Sequence, residues 1–248
     1  MIIKKFLNKI HISYYTLFLI LISLIAGLFK ELIVISSLLL IHEFGHFILM
    51  NKYNWNIIKI DIYPFGGIVK LNEKIDTDLK EELIITICGP LFQIILFFLI
   101  YIINKYMYID DYIYNLYKNY NFTILFFNLL PIIPLDGSKI LNVLLNKLFN
   151  FRVSYIINIV LSVLFLSVFA LIFKSDTSYY IIIIFLIYQI HFYYRNRFII
   201  FNRFILEKKL ERSKYIKYKK IDSIKKMYRN KKNFIKKNGT YISEYKYK

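Results

Sequence analysis

Apolar residues run through this chain in six long segments, residues 12–29, 32–50, 83–103, 121–143, 153–173 and 179–194, with short polar stretches between them. A membrane-spanning helix needs roughly 17–25 apolar residues, so the pattern predicts about six transmembrane helices. Only Lys30-Glu31 separates the first two, which predicts a tight helical hairpin. Residues 56–63 alternate with a period of two, Pro64-Phe65-Gly66-Gly67 reads as a turn, and Ile68-Val69-Lys70-Leu71 reads as a return strand. That is the signature of a β-hairpin. Gly89-Pro90 falls inside the third segment, and residues 105–120 read as a short solvated connector. The fourth segment is broken by Pro131, Pro134 and Gly137, which cannot continue a regular helix. Irregular backbone at membrane depth survives only inside protein or beside water. From residue 195 the chain turns polar, and Ile221, Ile224 and Tyr228 predict no more than a helical turn or two. The expected fold is an all-α polytopic membrane protein with a small cytoplasmic β-hairpin between spans two and three. It divides into a membrane domain, residues 1–195, and a basic tail, residues 196–248.

Composition agrees. The 248 residues are 58% hydrophobic and 20% charged, against ~45–50% and ~25% in soluble domains. The single cysteine, Cys88, excludes an internal disulfide and reads as a small packing residue. The first apolar segment has no small-residue cleavage site and reads as a retained anchor.

Charge sets an orientation. Of the net +18, the stretch from Arg195 onward carries +15, with 19 basic and 4 acidic residues. Lys4, Lys5 and Lys9 stand before the first span, while the segments assigned outside hold only Lys30, Lys105, Lys118 and Lys174. The positive-inside rule then puts both termini in the cytoplasm. A tail of this charge beside a membrane is drawn to anionic lipid, about 1 kcal/mol per basic residue near the surface. Nucleic-acid binding is not predicted, because no recognised motif accompanies the charge.

The second span carries His42-Glu43-Phe44-Gly45-His46, with no charged residue in the preceding ten. On a helix, H-E-x-x-H puts two imidazoles on one face, where they can share a Zn²⁺ ion, and leaves the glutamate to act as general base. Ionisable groups at membrane depth are costly and mark function by default. A catalytic zinc takes three protein ligands. Asp136, in the broken fourth span, is the best third candidate, and His191 in the sixth is the competitor. Such a centre would acidify a water, and Glu43 would take its proton and return it to the leaving amine.

These residues resemble the site-2 protease family of intramembrane zinc metalloproteases. The resemblance rests on H-E-x-x-H in the second span, Asn128-Leu129-Leu130-Pro131-Ile132-Ile133-Pro134-Leu135-Asp136-Gly137 in the fourth, and Pro64-Phe65-Gly66-Gly67 and Gly89-Pro90-Leu91 between them. It covers roughly residues 1–195 and departs at Ser138, where many members have a second glycine. It implies His42, His46 and Asp136 as zinc ligands, Glu43 as catalytic base, and Asn128 and Pro134 as the segment lining the substrate channel. Within the family, size and layout match sporulation proteases that release a membrane-tethered sigma-factor precursor in endospore-forming bacteria. That implies a bacterial cell or forespore membrane and inhibitory or regulatory membrane partners. Relatives often end in a nucleotide-sensing CBS domain, and the basic tail here is not expected to form a complete one. Two other readings are an inactive scaffold, against which intact Glu43 argues, and a metal transporter. A transporter would carry polar groups across the full membrane depth, whereas the outward halves of these spans are nearly all apolar.

Overall fold

The computed structural model describes residues 2–63, 66–71, 75–107, 109–173, 178–210, 215–237 and 239–246. They fall into two units, Met1–Glu73 with Ile84–Leu129, and Lys74–Leu83 with Leu130–Lys248.

In the first unit a short helix, α1 (Ile2–Leu7), leads through strand β1 (Ile10–Ile12) into α2 (Tyr14–Ile25) and α3 (Phe29–Lys52). Strands β2 (Ile57–Tyr63) and β3 (Gly66–Leu71) follow, then α4 (Leu79–Tyr106), which enters this unit at Ile84, and α5 (Asp111–Leu129). The expected strands are present and pair antiparallel, Tyr63 opposite Gly66 and Ile57 opposite Leu71. The expected turn residues Pro64 and Phe65 lie outside the described residues. β1 adds a parallel strand, Ile10 opposite Ile60 and Ile12 opposite Ile62. Ser13 N–H and the Thr16 hydroxyl both donate to Ile62 O, fixing the start of α2 to this sheet. Phe6, Phe47, Met50, Ile57, Ile60 and Ile85 form the core beneath it. The Phe6 ring lies 5.1 Å from those of both Phe44 and Phe47.

The second unit contains α6 (Asp136–Leu148), α7 (Phe151–Ile172), α8 (Ser178–Arg195) and α9 (Arg197–Leu210). Beyond them, β4 (Tyr218–Ile221) pairs parallel with β5 (Lys232–Lys237), and β5 antiparallel with β6 (Thr240–Ser243). Phe151, Tyr155, Phe204, Ile221, Met227 and Ile235 form its core, with Ile75 packed against it. Residues 75–82 are clasped by groups from the C-terminal region. Glu207 accepts from the N–H groups of Ile75 and Asp76, and Lys208 Nζ meets Asp76 Oδ2 at 2.7 Å. Arg229 pairs with Glu82 at 2.6 Å and also donates to Thr77 Oγ1.

Several expectations are revised. The fold is mainly helical but not all-α, since the described residues include two three-stranded sheets. The tail contributes one of them. Ile224–Lys226 forms the expected helical turn, whereas Ile221 belongs to a strand. The 105–120 connector is largely helix, because α4 runs to Tyr106 and α5 starts at Asp111, where Asp110 Oδ1 accepts from Tyr112 N–H. The fourth apolar segment divides into α5 and α6 at its prolines. Among the described residues three helices, α3, α4 and α7, are long and apolar enough to cross a membrane, while α2 has only 12 residues.

Candidate metal centre

Within the first unit, α3 and α4 approach closely where glycines remove side chains. A Cβ on Gly45 would stand 2.6 Å from the carbonyl oxygen of Cys88. A Cβ on Gly89 would overlap the His46 imidazole and crowd that of His42. Gly89 is therefore glycine because the two rings fill the space its side chain would take.

Both rings are oriented by groups on α4. Gln93, fully buried, donates from Nε2 to the carbonyl of Asn121 at 2.9 Å. That bond fixes the amide, so Oε1 faces His42 Nδ1 at 3.0 Å and can only accept. His46 Nδ1 meets the carbonyl of Ile85 at 2.8 Å, again an acceptor only. Each neutral ring thus carries its proton on Nδ1, which leaves a lone pair on each Nε2. The two Nε2 atoms are 3.2 Å apart. Two facing lone pairs repel unless a cation lies between them, and the separation matches the edge of about 3.3 Å expected between nitrogens on one tetrahedral zinc ion. The pair fits a metal.

Glu43, one residue from His42, is buried, and its Oε1 accepts from the backbone N–H of Gly67 at 2.9 Å. A Cβ on Gly67 would overlap that carboxylate. Asn128, in the last turn of α5, is also buried, and its Nδ2 has no hydrogen-bond partner among the described residues.

In the second unit, Asp136 is the first residue of α6 and is buried. A helix N-terminus suits a carboxylate, and Lys139 Nζ stands 2.8 Å from its Oδ1. Pro134 lies in the turn just before it. His42 and His46 in the first unit and Asp136 in the second are buried, and each offers an atom able to ligate a metal ion. Two imidazoles and a carboxylate are a zinc donor set. His191, the competitor, sits on an exposed face of α8, beside an apolar cavity lined by Val163, Leu166 and Ile187.

Gln93 and Gly67 were not predicted. A lone amide four residues after Gly89 in an otherwise apolar span was a signal of the first. Nothing in the local pattern marks the backbone N–H of Gly67.

A membrane-helix site of this kind, with paired histidines and an intervening glutamate, defines a class, and residues 30–119 match the model of peptidase family M50. The chain is similar to that family over this stretch. It is similar to stage IV sporulation protein FB of Bacillus subtilis, 36% identical over 157 residues, which cover 63% of this chain and 54% of that protein. It is also similar to a zinc metalloprotease of Methanocaldococcus jannaschii, 33% identical over 114 residues, covering 45% of this chain and 33% of that relative. Among solved structures, the site-2 protease from Methanocaldococcus jannaschii superposes with a TM-score of 0.59 at 26% identity, covering 73% of this chain and 88% of that one. The chain spans about half the length, or less, of the curated relatives it matches.

Proposed function

We propose that this chain is an intramembrane zinc metalloendopeptidase that cuts a membrane-associated protein. One observation carries the reading. The two Nε2 lone pairs of His42 and His46 face each other at 3.2 Å, with both Nδ1 atoms anchored and Glu43 on the same helix. His42, His46 and Asp136 would hold the ion. When bound, zinc supplies an acidified water and a Lewis acid for the scissile carbonyl. Glu43 would take the proton of the attacking water and deliver it to the leaving nitrogen. The Gly67 N–H fixes the carboxylate for this transfer. The Nδ2 of Asn128, without a partner among the described residues, is a donor available to a substrate carbonyl, and Pro134, in the turn before α6, would line the substrate channel. A helical substrate must unwind to present its amide, and we assign the β2–β3 hairpin as the edge it pairs with.

The finer reading has six spans, both termini and the hairpin in the cytoplasm, and the tail against anionic lipid. Three further apolar segments, residues 12–29, 121–143 and 179–194, together with the basic tail, support it. A membrane-tethered sigma-factor precursor is the proposed substrate, supported by the likeness to a stage IV sporulation protein. The test is co-expression with a candidate precursor, comparing wild type with Glu43→Gln. Cleavage by the wild type alone supports the reading, and equal cleavage by both overturns the role of Glu43. Glu43→Gln is expected to keep its zinc, and Asp136→Asn to lose it.

A further inference from the structure

The N–H groups of residues 131–135, in the turn ahead of α6, can each be traced. Pro131 and Pro134 have no N–H. Ile132 N–H donates to Leu130 O at 2.8 Å, and Leu135 N–H to Ile132 O at 2.8 Å. Ile133 has the remaining donor, and its acceptor belongs to a different helix. Ser162 Oγ, on α7, receives it at 3.2 Å. Ile133 is 4% exposed and Ser162 is 0% exposed, so no water substitutes for this bond. The serine is itself oriented. Its hydroxyl proton goes to Asn158 O, one turn back, at 2.8 Å, which leaves its oxygen lone pairs for the Ile133 N–H. Pro131 O lies 3.4 Å from the same hydroxyl.

Asp136 follows Ile133 by three residues. Between them, Leu135 O is held by both the N–H and the hydroxyl of Ser138, at 3.0 and 2.8 Å. The backbone entering Asp136 is therefore tied on one side within α6 and on the other to a single side chain of α7.

We infer that Ser162 is a positioning residue for Asp136, fixing through Ile133 the turn from which this carboxylate reaches the metal. The inference rests on the proposed role of Asp136 as a zinc ligand. A buried N–H left without an acceptor reorganises its turn. Groups that hold a ligand without touching the metal typically change metal affinity 10–100-fold, so a loss of about tenfold is expected here.

The experiment measures zinc affinity of the full chain in detergent by chelator competition, with thermal unfolding of the metal-free protein alongside. Ser162→Ala is expected to bind zinc about tenfold more weakly while the metal-free protein melts close to wild type. Ser162→Thr, which keeps the hydroxyl, is expected to restore affinity, and Ser162→Val, its near-isostere without one, is not. The Thr and Val pair decides the matter if the alanine variant fails to fold. Wild-type affinity in Ser162→Ala, or equal loss in the threonine and valine variants, overturns the inference. Asp136→Asn separates the two readings. If it leaves affinity unchanged, the ligand assignment is wrong, and if it lowers affinity while Ser162→Ala does not, only the role of Ser162 is wrong.

Discussion

The backbone N–H of Gly67, at the start of β3, donates to Oε1 of Glu43 on α3 across 2.9 Å. A strand outside the helices thus holds the residue proposed to move the proton, and it does so with a group that no side-chain substitution removes. What a substitution does remove is space. Gly67→Ala is expected to displace the Glu43 carboxylate and lower cleavage about 100-fold or more, within the range general acid–base catalysis contributes. Zinc content should stay near wild type. Cleavage measured beside bound zinc checks both halves.

Gly89→Ala acts on the other side of the same helix. Its Cβ would overlap His46 and crowd His42, so this variant is expected to lose zinc as well as turnover. Metal analysis of the purified protein distinguishes it from Gly67→Ala.

Gln93→Leu removes the acceptor of His42 Nδ1–H and leaves the Asn121 carbonyl without its donor. The ring is then free to rotate or change tautomer. Zinc affinity should fall by roughly 10–100-fold, measurable by chelator competition, and Gln93→Glu should restore part of it.

Glu244 gives a pH dependence confined to the C-terminal sheet. It is fully buried, and burial pushes its carboxyl pKa above the ordinary value, against the opposing effects of Lys208 and the two hydrogen bonds from Asn233. With the folded pKa raised, the folded state holds the proton more tightly than the unfolded one. This contribution to stability is complete below the ordinary carboxyl pKa and is lost as pH rises through the raised value. Amide exchange in β4–β6, corrected for intrinsic rate, should show protection declining as pH rises above the ordinary carboxyl range. In Glu244→Gln that component should vanish.

Arg229→Ala should destabilise the clasp on residues 75–82. Its guanidinium is 4% exposed and its partner Glu82 is 20% exposed. The cost should be about 2 kcal/mol, less than the ~3–5 kcal/mol for a fully buried pair, because solvent partly screens Glu82. Thermal unfolding in detergent measures it.

The candidate site residues were legible before their scaffold was. His42, Glu43 and His46 announce themselves because charge inside an apolar run is rare, and Asp136 because two prolines and a glycine surround it. The hairpin was legible too, since residues 56–63 alternate with a period of two. β1 was not. It has three residues, too few for a pattern, and exists only through its pairing with β2. The C-terminal strands were hidden for a different reason. In β5 the buried positions are Asn233 and Ile235 and the rest is mostly lysine, so one apolar residue carries the inward face. Asn233 is buried there because Glu244 and backbone carbonyls satisfy its amide, a compensation no local window contains. Ser162 was equally silent. A serine in an apolar helix reads as filler until the orphan N–H of Ile133 is found opposite it.

The clasp on residues 75–82 has a consequence for biosynthesis. Asp76 receives the N–H of Asn230, 154 positions later in the chain, and its own N–H goes to Glu207, 131 positions later. Translation therefore delivers this segment long before its partners, and several apolar helices are synthesised in the interval. Closing so long a loop is slow, and it sets the order of assembly. The hydrogen bond from Asn230 that holds the stretch leading into α4 cannot form until residue 230 has been made. A nascent chain halted before Arg229 would carry every residue of the zinc motif and still lack the groups that secure the entrance to α4.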